Sequence, residues 1–251
     1  MADAPERTIH VEGLYNLRDI GGYRSGNQTT KWRTVYRSDA LSRLTPLGLS
    51  QFDELNIGTV IDLRDDRERQ YEPSLLPDRI RLIPNPIFQG VDKTISDPDI
   101  SIAKFYRNLV ENYAHNYVAG IKQVIAHRQE SVLIHCTAGK DRTGTMIALM
   151  LSAIGVDRED VLHDYAQTEV NLAGEWSDRH LALMRSLDIE ISPGLRRLLV
   201  QSPAETLEDT LVRIEQKHGS ITDYLLTNGL SQAELNALAD QLLELSGALS
   251  E

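Results

Sequence analysis

Residues 132–144 read Val-Leu-Ile-His-Cys-Thr-Ala-Gly-Lys-Asp-Arg-Thr-Gly, and they hold the chain's one cysteine. An apolar, strand-like run ends at Cys136, and a helix-compatible run begins at Thr143. Small or flexible residues fill the turn between them. On such a strand–loop–helix the N–H groups of Thr137, Ala138, Gly139 and Lys140 turn inward as an anion nest. The helix N-terminus is aimed at the same point. A thiol that faces N–H dipoles and an arginine is favoured as the thiolate and is a strong nucleophile. Arg142, with five residues between it and Cys136, can fold back and clasp two oxygens of a bound oxyanion with its planar fork. Gly139 supplies the positive φ that a tight loop needs. The Thr143 hydroxyl can donate to the sulfur when it departs from a covalent intermediate. The chemistry indicated is hydrolysis of a phosphate monoester through a phosphocysteine, with neither metal nor organic cofactor. His135 is expected to position the loop through backbone hydrogen bonds. A nucleotide-binding Walker A loop is excluded, because Gly139-Lys140 is followed by Asp.

The elements that must position this loop follow from periodicity. Short β-prone runs lie at 34–37, 58–63, 80–83 and 131–135. Between the first two, Thr45-Pro46 opens a helix as N-cap and first-turn proline, with Leu47, Phe52 and Leu55 on its buried side. Strands alternating with helices predict a mainly parallel sheet with right-handed crossovers. Residues 102–127 read as a long helical stretch with a break near 112–116. After Arg142 the chain is almost wholly helical, with segments near 142–155, 158–173, 177–188, 204–218 and 231–246. The leucines of the last form a core-facing stripe. The expected architecture is α/β, a mostly parallel central sheet flanked by helices, with a helical C-terminal half and all of 1–251 in a single domain.

The pattern His-Cys-x5-Arg-Thr resembles the protein-tyrosine-phosphatase superfamily. Its fuller form, Cys136-Thr-Ala-Gly-Lys-Asp-Arg142, resembles a bacterial and fungal branch of that superfamily. Asn16-Leu-Arg-Asp-Ile-Gly-Gly22 is similar to the branch's N-terminal Asn-Phe-Arg-Asp-Leu-Gly-Gly motif. Asp62-Leu63-Arg64 followed by Arg67-Glu68 is similar to its central strand, and Tyr36-Arg37-Ser38 matches more weakly. The resemblance covers about residues 14–175 and implies a tyrosine-phosphatase-like fold. It implies phosphotyrosine as the leading substrate class, on a phosphorylated protein. It also suggests Asp141 as the general acid, set against the simpler role of capping the following helix. Asp92 and Asp62 are held in reserve as acids. Lipid phosphatases of the superfamily also carry Ala-Gly-Lys in the loop. Lys140 is therefore expected at the loop's mouth, as a solvated charge or as the ligand of a second phosphate in a phosphoinositide. Arg18 is expected to bind substrate and Asp19 to hold the N-terminal segment. Asp62 and Arg64 are expected as a structural ion pair. An alternative outside enzymes, an inactive phosphate-binding module, is opposed by the presence of Cys136, Arg142 and Thr143 together.

Composition agrees with a cysteine enzyme of ordinary globular type. The 251 residues are 41% hydrophobic and 25% charged, enough to bury a core without disulfides. A net charge of −11 argues against nucleic acid or an anionic membrane surface as partner. An anionic substrate must then be held by a local positive site. The remaining histidines lack metal-ligand spacing. The longest apolar run, 146–156, is too short for a transmembrane segment. Residues 1–7 do not resemble a Sec signal, so the expected location is cytoplasmic, with signal-less export left open. The oligomeric state is not legible here. Residues 92–105 read as a polar surface loop or a cover over the site.

Overall fold

The computed structural model describes residues 6–90, 101–186 and 188–246. Asp92 and most of the 92–105 segment lie outside them. The strands are β1 Arg18–Asp19, β2 Arg24–Ser25, β3 Gln28–Thr30, β4 Val35–Ser38, β5 Ile57–Asp62, β6 Arg81–Pro84, β7 Ser131–His135 and β8 Leu243–Leu245. The helices are α1 Pro46–Asp53, α2 Asp66–Tyr71, α3 Ile102–Asn112, α4 Ala114–Ala126, α5 Asp141–Ala153, α6 Arg158–Leu172, α7 Glu175–Ser186, α8 Pro193–Val200, α9 Ala204–His218, α10 Ile221–Thr227 and α11 Gln232–Leu242.

The main sheet has the order β1-β4-β7-β5-β6. Strands β4, β7, β5 and β6 run parallel, and β1 closes one edge antiparallel to β4. The expected α/β sheet is therefore present. Central β7 is apolar at Val132, Leu133 and Ile134, as a parallel strand covered on both faces must be. Its side chains alternate between two cores. Val132 and Ile134 pack with α3, α4 and α5, whereas Leu133 packs with Phe52, Leu41 and the N-terminal Leu14 and Leu17. Helix α5 is buried at every position from Arg142 to Leu151, so its apolar run wraps all round the helix instead of forming a stripe. The register places Ser38 and Asp62 beside His135. Three strands thus end together where Cys136 begins, the end at which open α/β sheets hold their ligands.

Two local expectations are corrected. In α1 Thr45 caps Gly48 N at 3.0 Å, as expected, but Leu47 is 58% exposed. The helix turns Gly48 and Phe52 inward instead, and Gly48 packs so closely on the Glu12 carbonyl that its neighbour must point outward. The last helix stops at Leu242 rather than near 246. Residues 243–245 leave it to pair with β3, where Lys31 N donates to Leu242 O at 2.7 Å. The break expected near 112–116 falls at Tyr113.

One buried cluster ties β1 and β4 to α6. Asp164 receives Arg18 Nε at 3.0 Å and Tyr23 OH at 3.1 Å on Oδ1, and Arg37 Nη1 on Oδ2. Arg18 Nη2 also donates to Asp164 O at 2.7 Å and Thr168 Oγ1 at 2.9 Å. Burial works to raise the Asp164 carboxyl, but the two guanidiniums outweigh it and hold the group well below the usual carboxylate range. The resulting stabilisation is complete above the unfolded value of about 3.9 and fades only as acid drives pH down through the folded value. Asp164→Asn leaves two guanidiniums buried without a counter-charge. It should cost about 3–5 kcal/mol of folding stability, read as a fall in urea midpoint at unchanged slope.

Candidate active site

Strand β7 delivers Cys136 to the loop, and α5 takes the chain away from Asp141 onward. Gly139 sits at φ +64°, and a Cβ there would lie 2.1 Å from the Ser38 carbonyl oxygen, so the position admits only glycine. Each loop carbonyl has a partner. Cys136 O contacts His135 Nδ1 at 3.0 Å, and Thr137 O accepts from Ala40 N at 3.0 Å. Asn16 Nδ2 donates to Ala138 O at 2.9 Å and to Gly139 O at 3.2 Å, and Arg37 Nη2 donates to Gly139 O at 2.6 Å. Among the described residues nothing accepts from the amides of 137–140. With the carbonyls drawn outward, those amides form the inner face of the loop, as an anion nest requires.

Cys136 is a free thiol, 2% exposed, in a cavity of about 220 Å³. Arg142 lines the same cavity with its fork on Glu68: Nη1 to Oε2 at 2.6 Å, Nη2 to Oε1 at 2.7 Å. Arg142 Nη2 also reaches Thr137 Oγ1 at 3.2 Å, and the guanidinium lies 5.0 Å from the Phe88 ring centre. Glu68 has three duties, because it completes the capping box of α2 with Asp65 and accepts the Thr137 hydroxyl. Burial would raise its carboxyl, but Arg142 outweighs burial and lowers it to about 2. In the sequence Glu68 stands within a family motif, and its role as the partner of Arg142 is not evident there. The Asp65-x-x-Glu68 spacing, a capping-box signature, was the available signal. Thr143 is fully buried beneath the loop, and its hydroxyl has no partner among the described residues. His135 is buried 3.5 Å from Asp62, and burial lowers its pKa despite that neighbour, favouring the neutral ring.

Asp141 is the first residue of α5, not its cap. The cap position is Lys140, without a side-chain capping bond. Asp141 Oδ1 instead accepts from Tyr106 OH at 2.9 Å and lies 3.6 Å from Lys140 Nζ. Two substrate-binding expectations are corrected. The Lys140 chain lines the cavity, but it is 1% exposed, and its ammonium donates to Leu198 O and, at 3.0 Å, Gln201 O near the end of α8. Those carbonyls are left unpaired by the helix terminus and draw the charge away from the mouth. Arg18 has no exposure and gives its donors to Asp164, Thr168 and Asn16. It supports the segment that holds the loop and does not line the cavity. Asp62 is fully buried against Arg64, at 2.7 Å, and is likewise absent from the lining.

The opposite wall is apolar, built by Phe88, Phe105, Trp176, Leu195 and Leu198. Trp176 stacks on His180 at 3.7 Å between ring centres. Helix α8 escaped the sequence reading, although Ser192-Pro193 opens it with a cap and Leu195, Leu198 and Leu199 share one face. Among the described residues no three His, Cys, Asp or Glu side chains are grouped to hold a metal ion. Asn16→Ala should free the carbonyls of Ala138 and Gly139 and loosen the nest. Loss of two hydrogen bonds predicts roughly 10-fold weaker binding of phosphate or vanadate, measured by competition or calorimetry.

Several known proteins are similar to this chain. A protein of Cupriavidus necator, a candidate tyrosine-protein phosphatase, is 27% identical over 86% of this chain and 82% of its own. The triple specificity protein phosphatase PtpB of Mycobacterium tuberculosis is 28% identical over 93% of this chain and 98% of its own. The crystal structure of P. aeruginosa TpbA aligns with 71% of this chain and 96% of its own, at 18% identity and a TM-score of 0.37. The profile of the tyrosine phosphatase family matches residues 9–244, from the N-terminal segment that braces the loop to the strand after α11, and the chain belongs to that family.

Proposed function

We propose that this phosphatase hydrolyses phosphotyrosine through a phosphocysteine at Cys136. The Cys136 sulfur attacks phosphorus while the bond to the phenolic oxygen breaks, and Asp141 gives that oxygen its proton. Water then attacks the phosphocysteine, returns a proton to Asp141 and releases phosphate as the P–S bond breaks. The amides of Thr137, Ala138, Gly139 and Lys140 hold the phosphoryl oxygens, and the Arg142 fork turns to them from Glu68. The Thr143 hydroxyl, buried under the loop without another partner among the described residues, is free to donate to the departing sulfur.

The observation that carries this reading is the loop whose carbonyls all find partners while its 137–140 amides find none among the described residues. Such a loop presents donors where negative charge collects in the transition state. The aromatic and leucine wall supports a ring-bearing substrate. A phosphate reaching a thiol that is 2% exposed also favours the long tyrosyl arm over seryl or threonyl. The mycobacterial relative is named a triple specificity phosphatase, so phosphoinositides are the second substrate class to measure. The inward commitment of Lys140 weighs against a second-phosphate contact there. In this reading the chain is a single phosphatase domain, supported by the core cluster that joins the sheet to the C-terminal helices.

Cys136→Ser should abolish turnover while keeping vanadate binding, because nest and guanidinium remain. Arg142→Lys should lower kcat by at least ~10²-fold. Asp141→Asn should slow phenyl phosphate by about 10²–10⁴-fold and p-nitrophenyl phosphate far less, since nitrophenolate leaves without a proton. Near-normal turnover by the serine variant would sink the covalent route. Higher kcat/KM on phosphoinositides than on phosphotyrosyl peptides would reassign the substrate.

A further inference from the structure

Behind Asp141 stand two tyrosines that the mechanism above does not use. Tyr106 OH lies 2.9 Å from Asp141 Oδ1 and 2.6 Å from Tyr165 OH. The two rings meet edge to face at 84°, with centres 5.8 Å apart. Tyr106 is 0% and Tyr165 1% exposed, so neither hydroxyl can turn to solvent. Burial, and after it the nearby Asp141 charge, pushes both phenols above their ordinary value, so each keeps its proton. Lys140 Nζ, at 3.6 Å, also faces Oδ1. Among the described residues Oδ2 has no partner.

Counting protons fixes the direction of this chain. When Tyr106 donates to Asp141, its own oxygen is free to accept from Tyr165, and both hydroxyl protons are used. A proton on Oδ1 would reverse the order: Asp141 would donate to Tyr106, and Tyr106 to Tyr165. The Tyr165 proton would then have no acceptor among the described residues in a buried site, an arrangement that proteins avoid. The catalytic proton is therefore driven to Oδ2, the oxygen left for the cavity.

We propose that Tyr106, backed by Tyr165, is the positioning residue that ties down Asp141 Oδ1 and keeps the transferable proton on Oδ2, toward the leaving group. The inference rests on Asp141 being the general acid. It concerns orientation only, since neither tyrosine lines the cavity and neither exchanges its own proton.

The test is the ratio of kcat for p-nitrophenyl phosphate to kcat for phenyl phosphate, because a general structural loss lowers both and leaves the ratio alone. Tyr106→Phe removes one oxygen and keeps the packed ring. It should raise the ratio about 10- to 100-fold, the scale of a misplaced catalytic group, with vanadate affinity retained. Tyr165→Phe removes only the polarisation of Tyr106 and should raise the ratio by a smaller factor, about 3-fold. It also supplies the reading if the first variant does not fold. Combined with Asp141→Asn, neither change should raise the ratio further. An unchanged ratio in Tyr106→Phe beside a raised one in Asp141→Asn overturns the proposal. So does a further rise in the double variant, because Tyr106 would then act without Asp141. If Asp141→Asn alone leaves the ratio unchanged, the acid assignment itself falls and takes this inference with it.

Discussion

Asp164 is a single carboxylate buried between two guanidiniums, and the active-site loop depends on where it holds them. Arg37 spans from Asp164 to the carbonyl of Gly139, and Arg18 spans from Asp164 to Asn16, whose amide takes the carbonyls of Ala138 and Gly139. A charged donor can turn a loop carbonyl only if its own position is fixed. Helix α6 fixes it here, from one turn before Thr168. The charge balance is uneven, one anion to two cations, which leaves net positive charge behind the loop. That excess lies on the side from which an anion in the nest feels it.

The same economy of shared groups recurs at the rim. Glu68 closes the first turn of α2, takes the Thr137 hydroxyl and holds Arg142 in a planar grip. A free arginine would sample many rotamers. Held on a carboxylate of matching geometry it is already ordered at the cavity that contains the thiol, and in the proposed mechanism the phosphoryl group replaces one bidentate partner by another. The resting site is also close to neutral at its mouth. It therefore avoids a bare cation over an apolar wall, and it accommodates Phe88 against the guanidinium face.

The candidate loop was legible because its parts are contiguous. A strand, a nest and a helix start lie within 132–144, and their chemistry needs no knowledge of distant residues. The parallel strands flanking it were legible for the same reason, each being a short β-prone run of contiguous residues. What sequence did not disclose depends on partners far along the chain. Arg18 looked available for substrate because its counter-ion is 146 residues away. Lys140 looked solvated or free for a second phosphate because the carbonyls that take it are 58 and 61 residues on. Strand β8 hid inside a leucine-rich helix pattern, since only the waiting edge of β3 makes an extended conformation worthwhile there. Helix α8 was short and preceded by weakly patterned residues. Its capping signal was present but carried no indication that the helix covers anything.

The grip of Lys140 on the end of α8 bears on how such a protein can vary. The ammonium belongs to the phosphate loop, whereas its acceptors belong to the helix that supplies Leu195 and Leu198 to the cavity wall. Catalytic rigidity and substrate contour are therefore not independently tunable traits. A shorter side chain at 140 would strand two backbone acceptors under an apolar surface, and a lengthened α8 would leave a cation buried beside Asp141. Either change calls for a compensating one on the other segment. Lineages that acquire new substrates by remodelling this wall are thus constrained to alter both stretches of sequence together, or to build their novelty on the Trp176 side, where no hydrogen bond to the loop exists among the described residues.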